Sequence, residues 1–517
     1  MNFFKRNFQR LVLISLPIPL IGSCFFNCLA YFIDGHQHNL LRAGLTLGIQ
    51  ALALLVLLVE LAGLWRRERR THRVMLLSLL IPAAYAGIIA AALVTRTNKG
   101  LILSDAVVYG GYLLAFGSMF LVVVLEDRLE ELFRASRYYG IGMAVLMILY
   151  CVRFYLPSAE YGVTNLGVYS AMPLAYGLMV FCVLLMADTL LYQVPGSRTF
   201  RLNQALYLIF SVSITLASSK GPLLCLLFAG VLVLVYAVKN RCFPRQAAYF
   251  PLCALICFVL FSSVLYPSYG VENRWVTFIK ELAAPESVSI STEDLQNTQD
   301  LLNKAEGNNS SGQEPATDPG QEPATDSGQE PGSKQEEPSS GEEEAPGQKD
   351  VVTFFASGEA DAALAAGTIT QEEYDALNEM RRKLENTASG GRLSLWLLAV
   401  NEIKTAPLTG HGPYFFQEKY DLYPHNFFLE LATDFGIPVM LLVTALGLYV
   451  FWELIKRSLQ SPYVAAFTLY VLAYLPQRML SATIYEADVF FQYGFCLLIV
   501  FSHCLDQRWE NRFLEAD

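Results

Sequence analysis

Charge and histidine are both scarce in this chain. Of 517 residues only six are histidine and 16% are charged, whereas 54% are hydrophobic. So little charge argues against a water-soluble globular domain and points to a polytopic membrane protein. Ten cysteines (Cys24, Cys28, Cys151, Cys182, Cys225, Cys242, Cys253, Cys257, Cys496 and Cys504) lie in or beside apolar runs, and the one long polar segment has none. No disulfide framework is therefore implied. Cys24/Cys28 and Cys253/Cys257 each share a helix face and read as small core residues. P-loop, GxSxG and DxD motifs are missing. The alternate histidines of "HQH" (His36 and His38) are the nearest approach to a metal site and read as coincidence, so neither a metal nor another cofactor is expected. The formal charge of −10 is also local: residues 306–350 hold 12 Asp/Glu against Lys334 and Lys349, which leaves the rest of the chain neutral. It argues for no nucleic-acid partner, and none is expected.

What the chain has in abundance is apolar runs of the length a membrane helix needs, about 20 residues. They fall at 11–33, 43–65, 74–94, 105–125, 139–157, 166–190, 202–218, 221–238, 247–266, 435–455, 462–483 and 487–505, about twelve in all. Only "SSKG" divides 202–218 from 221–238, which are either two spans or one broken, re-entrant element. The basic start "MNFFKRNFQR" resembles a signal peptide, but no convincing cleavage site follows. The first run reads as a retained helix. With twelve spans the clusters "KRNFQR", "RRERRTHR", "RASRYY", "GSRTFR", "KNRCFPRQ" and "KR" (456–457) all fall on one side with both termini, as the positive-inside rule requires. The expected fold is thus all-α, with a large external loop at 267–434 before the last three spans.

The domains expected are a membrane bundle of about nine helices over 1–266, an amphipathic start of the external loop at 267–305, an acidic spacer at 306–350, a helical loop at 351–434, and a C-terminal membrane part with a tail at 435–517. Within 267–305, "YPSYGVENRWVTFIKELAAP" suits a helix lying on the membrane surface. The spacer repeats "GQEPATD" at 312 and 320 and "GQEP" at 328. Its Gly, Pro, Ser, Gln and Glu residues cannot bury enough surface to order themselves. In 351–434, "TQEE" at 370 predicts a capped helix start, and an amphipathic helix from Arg392 to Lys404 closes at Pro407 and Gly410.

Ionisable groups near the external face are the candidates for chemistry, because charge in a span is costly. Lys220, in "ITLASSKGPLL", either holds an anion or snorkels to the interface. Arg392 opens its helix after "SGG" and suits a phosphate. His425 follows Pro424 at a helix start, where an anion is favoured and a neutral imidazole accepts a proton. Arg274, Arg478 and Asn426 are supporting candidates. Tyr414, Phe415, Tyr420 and Tyr423 suit either a glycan groove or interfacial anchors. His411 belongs to the Gly-rich turn and reads as dispensable.

"SGGRLSLWLLAVNEIKTAPLTGHGPYFF" followed by "YPHNFFLELATDFGIP" resembles the signature region of the O-antigen ligase and polymerase superfamily: Arg, Trp, P-L-x-G-x-G, then H-N-x-x-L-x-x-x-x-x-x-G. The likeness covers about 50 residues and extends to the layout of spans. It implies a bacterial inner-membrane enzyme with cytoplasmic termini and a periplasmic site. Such an enzyme moves a glycan from an undecaprenyl diphosphate donor to a lipid A–core acceptor, without a metal and with inversion. By the same resemblance Lys220 and Arg392 grip the diphosphate and His425 activates the acceptor hydroxyl. Lys220 stands where the family has an arginine in an S-R-G turn, which keeps the charge and loses the fork. Val439 also departs from the small residue or Tyr common there. Asp34 sits where some polytopic glycosyltransferases keep an acid, but no second acid accompanies it. A polymerase, a protein O-glycosyltransferase and a transporter are the alternatives. Gly410 and Gly412 lie 18 and 20 residues after Arg392, which leans towards the ligase. A transporter calls for internal repeats and a mid-membrane polar site, and the ionisable residues gather at one face instead.

Overall fold

The computed structural model describes residues 2–34, 39–67, 71–152, 171–217, 220–239, 244–260, 301, 302, 304, 363, 364, 367–386, 392–420, 423–458, 462–480, 483–485, 492, 494 and 496. Among them all regular structure is helical. The N-terminal part comprises α1 (Asn2–Ser15), a π-helical turn (Ile18–Gly22), α2 (Ser23–Asp34), α3 (Asn39–Arg67), α4 (Thr71–Ser78), α5 (Leu80–Thr95) and α6 (Lys99–Glu126). It continues through α7 (Leu129–Tyr150), α8 (Ala171–Tyr192), α9 (Arg198–Leu216), α10 (Lys220–Lys239), α11 (Pro244–Ala247) and α12 (Tyr249–Leu260). After the polar segment come α13 (Gln371–Asn386), α14 (Arg392–Thr405), α15 (Phe415–Tyr420), α16 (Phe427–Phe435), α17 (Ile437–Ser458), α18 (Pro462–Ala473) and α19 (Leu475–Leu480).

Among the described residues seven stretches are long and apolar enough to cross a membrane: Gly44–Arg67, Thr71–Thr95, Lys99–Glu126, Leu129–Tyr150, Pro173–Tyr192, Gly221–Lys239 and Ile437–Ser458. The bent pair Arg6–Ser15 and Ile18–Ile33 makes an eighth if it is one span. Each overlaps an apolar run of the sequence, but Leu129–Tyr150 begins ten residues before the run at 139–157 and takes the basic cluster "RASRYY" into the helix. The run at 202–218 is α9, a helix separate from α10, so "SSKG" joins two helices. The run at 462–483 is divided into α18 and α19. Of the run at 487–505 only Gln492, Gly494 and Cys496 are described. A total of about twelve spans rests on the apolar runs themselves.

The chain forms two compact units, residues 1–277 with 395–517, and residues 278–394. In the larger unit α8 is the most enclosed span and packs against α7, α9, α10 and α18. At the other extreme α17 leaves Leu441, Leu442, Leu446, Leu448 and Trp452 exposed, as suits a helix whose surrounding solvent is lipid. Polar contacts gather at the two ends of the helices. At one end Arg128 meets Glu126 at 2.5 Å, Glu131 at 3.3 Å and Glu60 at 3.6 Å, while Arg67 meets Glu60 and Glu126 at 3.2 and 3.3 Å. Arg137 pairs with the buried Asp188 at 3.1 Å, and Asn203 donates to the same carboxylate at 2.8 Å. These residues border the basic clusters. The opposite end is reached along α6, whose 28 residues span about 42 Å. There Arg96 and Thr97 meet the segment after α14.

In the smaller unit Leu302, Ala363, Ile369 and Leu377 form a core, joined by Leu301, Leu364 and Tyr374. The predicted capped helix start is present: Thr370 N donates to Glu373 Oε2 at 2.9 Å and Glu373 N to Thr370 Oγ1 at 3.2 Å. That reciprocal pair satisfies two donors at the start of α13.

Candidate functional site at the His-Asn loop

Two glycine turns interlock at the heart of the motif. Gly410 has φ +65° and Gly436 φ +85°, both in the region that disfavours a Cβ. A Cβ on Gly410 would lie 2.4 Å from the carbonyl carbon of Asp434, and one on Gly436 would lie 2.4 Å from the oxygen of Leu408. Each glycine therefore makes room for the backbone of the other turn. Hydrogen bonds zip the turns together: His411 N donates to Thr433 O at 3.0 Å, Gly412 N to Asp434 O at 2.8 Å, and Ile437 N to Pro407 O at 2.8 Å. The P-L-x-G-x-G element is thus a seat for the C-terminal end of α16.

His425 stands at the other end of α16. It is partly buried, has φ +54°, and its ring lies 4.1 Å from that of Tyr423, tilted by 45°. A non-glycine residue in this backbone region is uncommon and held by its surroundings. The holding group is Asn426, the N-cap, whose Oδ1 accepts from Phe428 N and Leu429 N at 3.0 and 3.1 Å. Asn426 Nδ2 donates to Met479 O at 3.0 Å. Two of the helix's leading N–H groups are therefore already taken by Asn426. One turn on, the buried Glu430 accepts from Thr483 Oγ1 at 2.8 Å and Ile484 N at 2.6 Å.

Tyr414 is not a groove residue. It is 2% exposed, has φ +62°, and stacks on Tyr485 at 3.8 Å. Its N–H donates to Asp434 Oδ2 at 3.0 Å and to Tyr485 Oη at 2.7 Å, and Tyr485 Oη also donates to Asp434. Its support for the site is thus structural, through the floor under the Gly410–Gly412 turn. Burial pushes the Asp434 carboxyl up to about 7, against the lowering effect of Tyr485 Oη, the Tyr414 N–H, the Arg96 charge and the Phe416 N–H. The folded protein therefore holds this proton to a higher pH than the unfolded chain does. The contribution of Asp434 to stability therefore falls as pH rises from about 4 to about 7 and is level above that. Asp434→Asn should flatten that slope by on the order of 2–4 kcal/mol, read from unfolding temperatures between pH 4 and 8.

His411 also has a structural role. Its ring stacks on Phe415 at 4.0 Å, and Nε2 lies 3.0 Å from Thr405 Oγ1 and 3.1 Å from Glu402 O. Glu402 accepts from Lys419 at 2.7 Å and Tyr420 Oη at 2.5 Å. Burial raises the Glu402 carboxyl, but these two hydrogen bonds and the Lys419 and His411 charges outweigh it and hold it below the usual range. Tyr420 is thereby committed to this pair. His411 fastens the turn to the end of α14.

The remaining expected site residues divide into two groups. Arg478 is 2% exposed, donates to Gln492 Oε1 at 3.3 Å, and has its guanidinium 5.5 Å from the Tyr474 ring centre. Lys220 is the first residue of α10, which packs on α19, and Cys225 of α10 lies beside Gln477 and Arg478. The next residue, Gly221, has no room for a Cβ, which would fall 2.3 Å from Tyr176 Oη. The start of α10 is thus joined through α19 to the Met479 carbonyl that holds Asn426. The side chains of Lys220 and Arg392 lie outside the described residues, as do Arg274, His36 and His38. Arg392 begins α14 as expected. Sequence inspection missed Arg96, Glu430, Asp434 and Tyr485. Asp434 and Glu430 could have been found as charges inside the apolar "NFFLELATDFG".

Several helices of membrane-spanning length define a multi-pass membrane protein. Residues 352–444 match the family model described as O-antigen ligase. Over that segment, which is less than a fifth of the chain, the sequence is similar to the O-antigen ligase family. Neither a curated protein nor a solved structure matches it.

Proposed function

We propose that the protein is an O-antigen ligase that transfers a glycan from undecaprenyl diphosphate to a hydroxyl of lipid A–core at the periplasmic face of the bacterial inner membrane. The observation that carries this is the geometry of His425, held at φ +54° beside a capped helix within the matched segment. His425 acts as general base on the acceptor hydroxyl. The oxygen so activated attacks the anomeric carbon from the face opposite the diphosphate, so the bond to the carrier breaks with inversion. The leaving diphosphate carries its own charge away and is stabilised by fixed cations, Lys220 and Arg392, with no metal required. Arg478, buried next to the start of α10, adds positive potential, and Arg274 is assigned the same supporting role. Asn426 sets the orientation of His425. Tyr423 lies against the imidazole. The membrane bundle of about twelve spans keeps both termini cytoplasmic, and 306–350 serves as a solvated spacer.

Deleting the gene and resolving the surface glycan on a gel tests this reading. Long glycan chains should accumulate on the carrier lipid while lipid A–core stays bare. Core capped with single repeat units would instead identify a polymerase. Unchanged surface glycan and carrier pools would overturn both.

A further inference from the structure

We infer that Arg96, in the turn between α5 and α6, is a positioning residue for the proposed transfer, acting from the N-terminal bundle on the loop that carries His425. This rests on the transfer reading above. Arg96 lies outside the segment matched by the family model. Its Nε donates to Pro413 O at 2.6 Å, Nη2 to His411 O at 2.6 Å and Gly412 O at 2.8 Å, and Nη1 to Glu418 Oε2 at 3.2 Å. The next residue completes the grip: Thr97 N and Oγ1 donate to Glu418 Oε1 at 2.7 and 2.5 Å. The Arg96 side chain is one-tenth exposed.

Consecutive carbonyls turned towards one point repel each other unless a donor stands there. A planar guanidinium with five N–H groups can serve several at once, whereas an ammonium is a compact point charge. Without Arg96 these carbonyls would be left short of partners in a largely dry place, which is costly. The clamp then acts at a distance. The Gly410–Gly412 turn that it holds is hydrogen-bonded to Thr433 and Asp434 at the end of α16. Across its nine residues, about 13 Å, α16 is a short rigid rod. Asn426 and Glu430 tether its other end to Met479, Thr483 and Ile484. Releasing the seat of the rod shifts or loosens the end that holds His425, and such misplacement slows chemistry more than binding.

The test uses the full-length protein in proteoliposomes with a lipid-linked glycan donor, comparing wild type, Arg96→Ala and Arg96→Lys. In Arg96→Ala, kcat should fall roughly 100-fold with donor KM changed by less than about threefold, and added guanidinium should restore part of it. Hydrogen exchange at residues 408–416 should quicken at least about tenfold, without reference to activity. If Arg96→Ala does not fold, Arg96→Lys carries the comparison, with kcat down about tenfold and KM unchanged. Wild-type kcat in either variant, or a rise in donor KM alone, overturns the inference, and so does unaltered exchange at 408–416. Failure of the wild type to consume the donor overturns the transfer reading instead, and the exchange measurement still decides whether the clamp exists.

Discussion

Replacing His425 should abolish glycan transfer, lowering the rate about 100- to 10,000-fold while the protein remains folded. The choice of replacement matters because His425 has φ +54°. Alanine there adds backbone strain of about 1–2 kcal/mol to the loss of the imidazole. Asparagine tolerates this backbone region and cannot serve as a base near neutral pH, so His425→Asn separates chemistry from conformation. Donor consumption in reconstituted membranes gives the rate, and the unfolding temperature shows that the knot persists. A variant that consumes donor at the wild-type rate would remove His425 from the mechanism.

Gly410→Ala and Gly436→Ala should each destabilise the protein by roughly 3 kcal/mol or more. Positive φ contributes part of the cost. The larger part is the clash with backbone, which cannot rotate away: 2.4 Å to Asp434 from one side and 2.4 Å to Leu408 from the other. Gly412→Ala is the internal comparison. Its Cβ would meet Arg96 Nη2 at 3.0 Å, the end of a side chain that can give way at some cost to the clamp. Since the two turns share one contact surface, the double variant Gly410→Ala/Gly436→Ala should cost less than the sum of the single ones. Thermal unfolding in detergent would measure all of them. Unfolding temperatures within a degree of wild type would contradict the interlocked turns.

Much of this architecture was legible because its causes are local. An apolar run of membrane length has to satisfy its own backbone, so the helices of membrane length overlap the runs. Thr370 and Glu373 are three residues apart, and their reciprocal cap follows from that spacing. The H-N pair and the motif glycines were visible as residue types, and the break at "SSKG" was visible as a pause in hydropathy. Tyr414 shows the limit. An aromatic residue in a Gly-rich loop near a membrane fits a surface as well as a core, and only its stacking on Tyr485 decides for the core.

Taken alone, the sequence determined the helical, membrane-spanning class and the segment that resembles the family, since hydropathy and short motifs are read within a few turns of chain. Tertiary structure alone decided why the glycines are needed, what seats α16, and that Asp434 and Glu430 are buried anchors. It also revealed Arg96, whose partners lie 315 to 322 residues away along the chain. No local pattern encodes such a contact. It exists because the ends of separate spans converge at one edge of the bundle, where buried carbonyls and carboxylates must find donors.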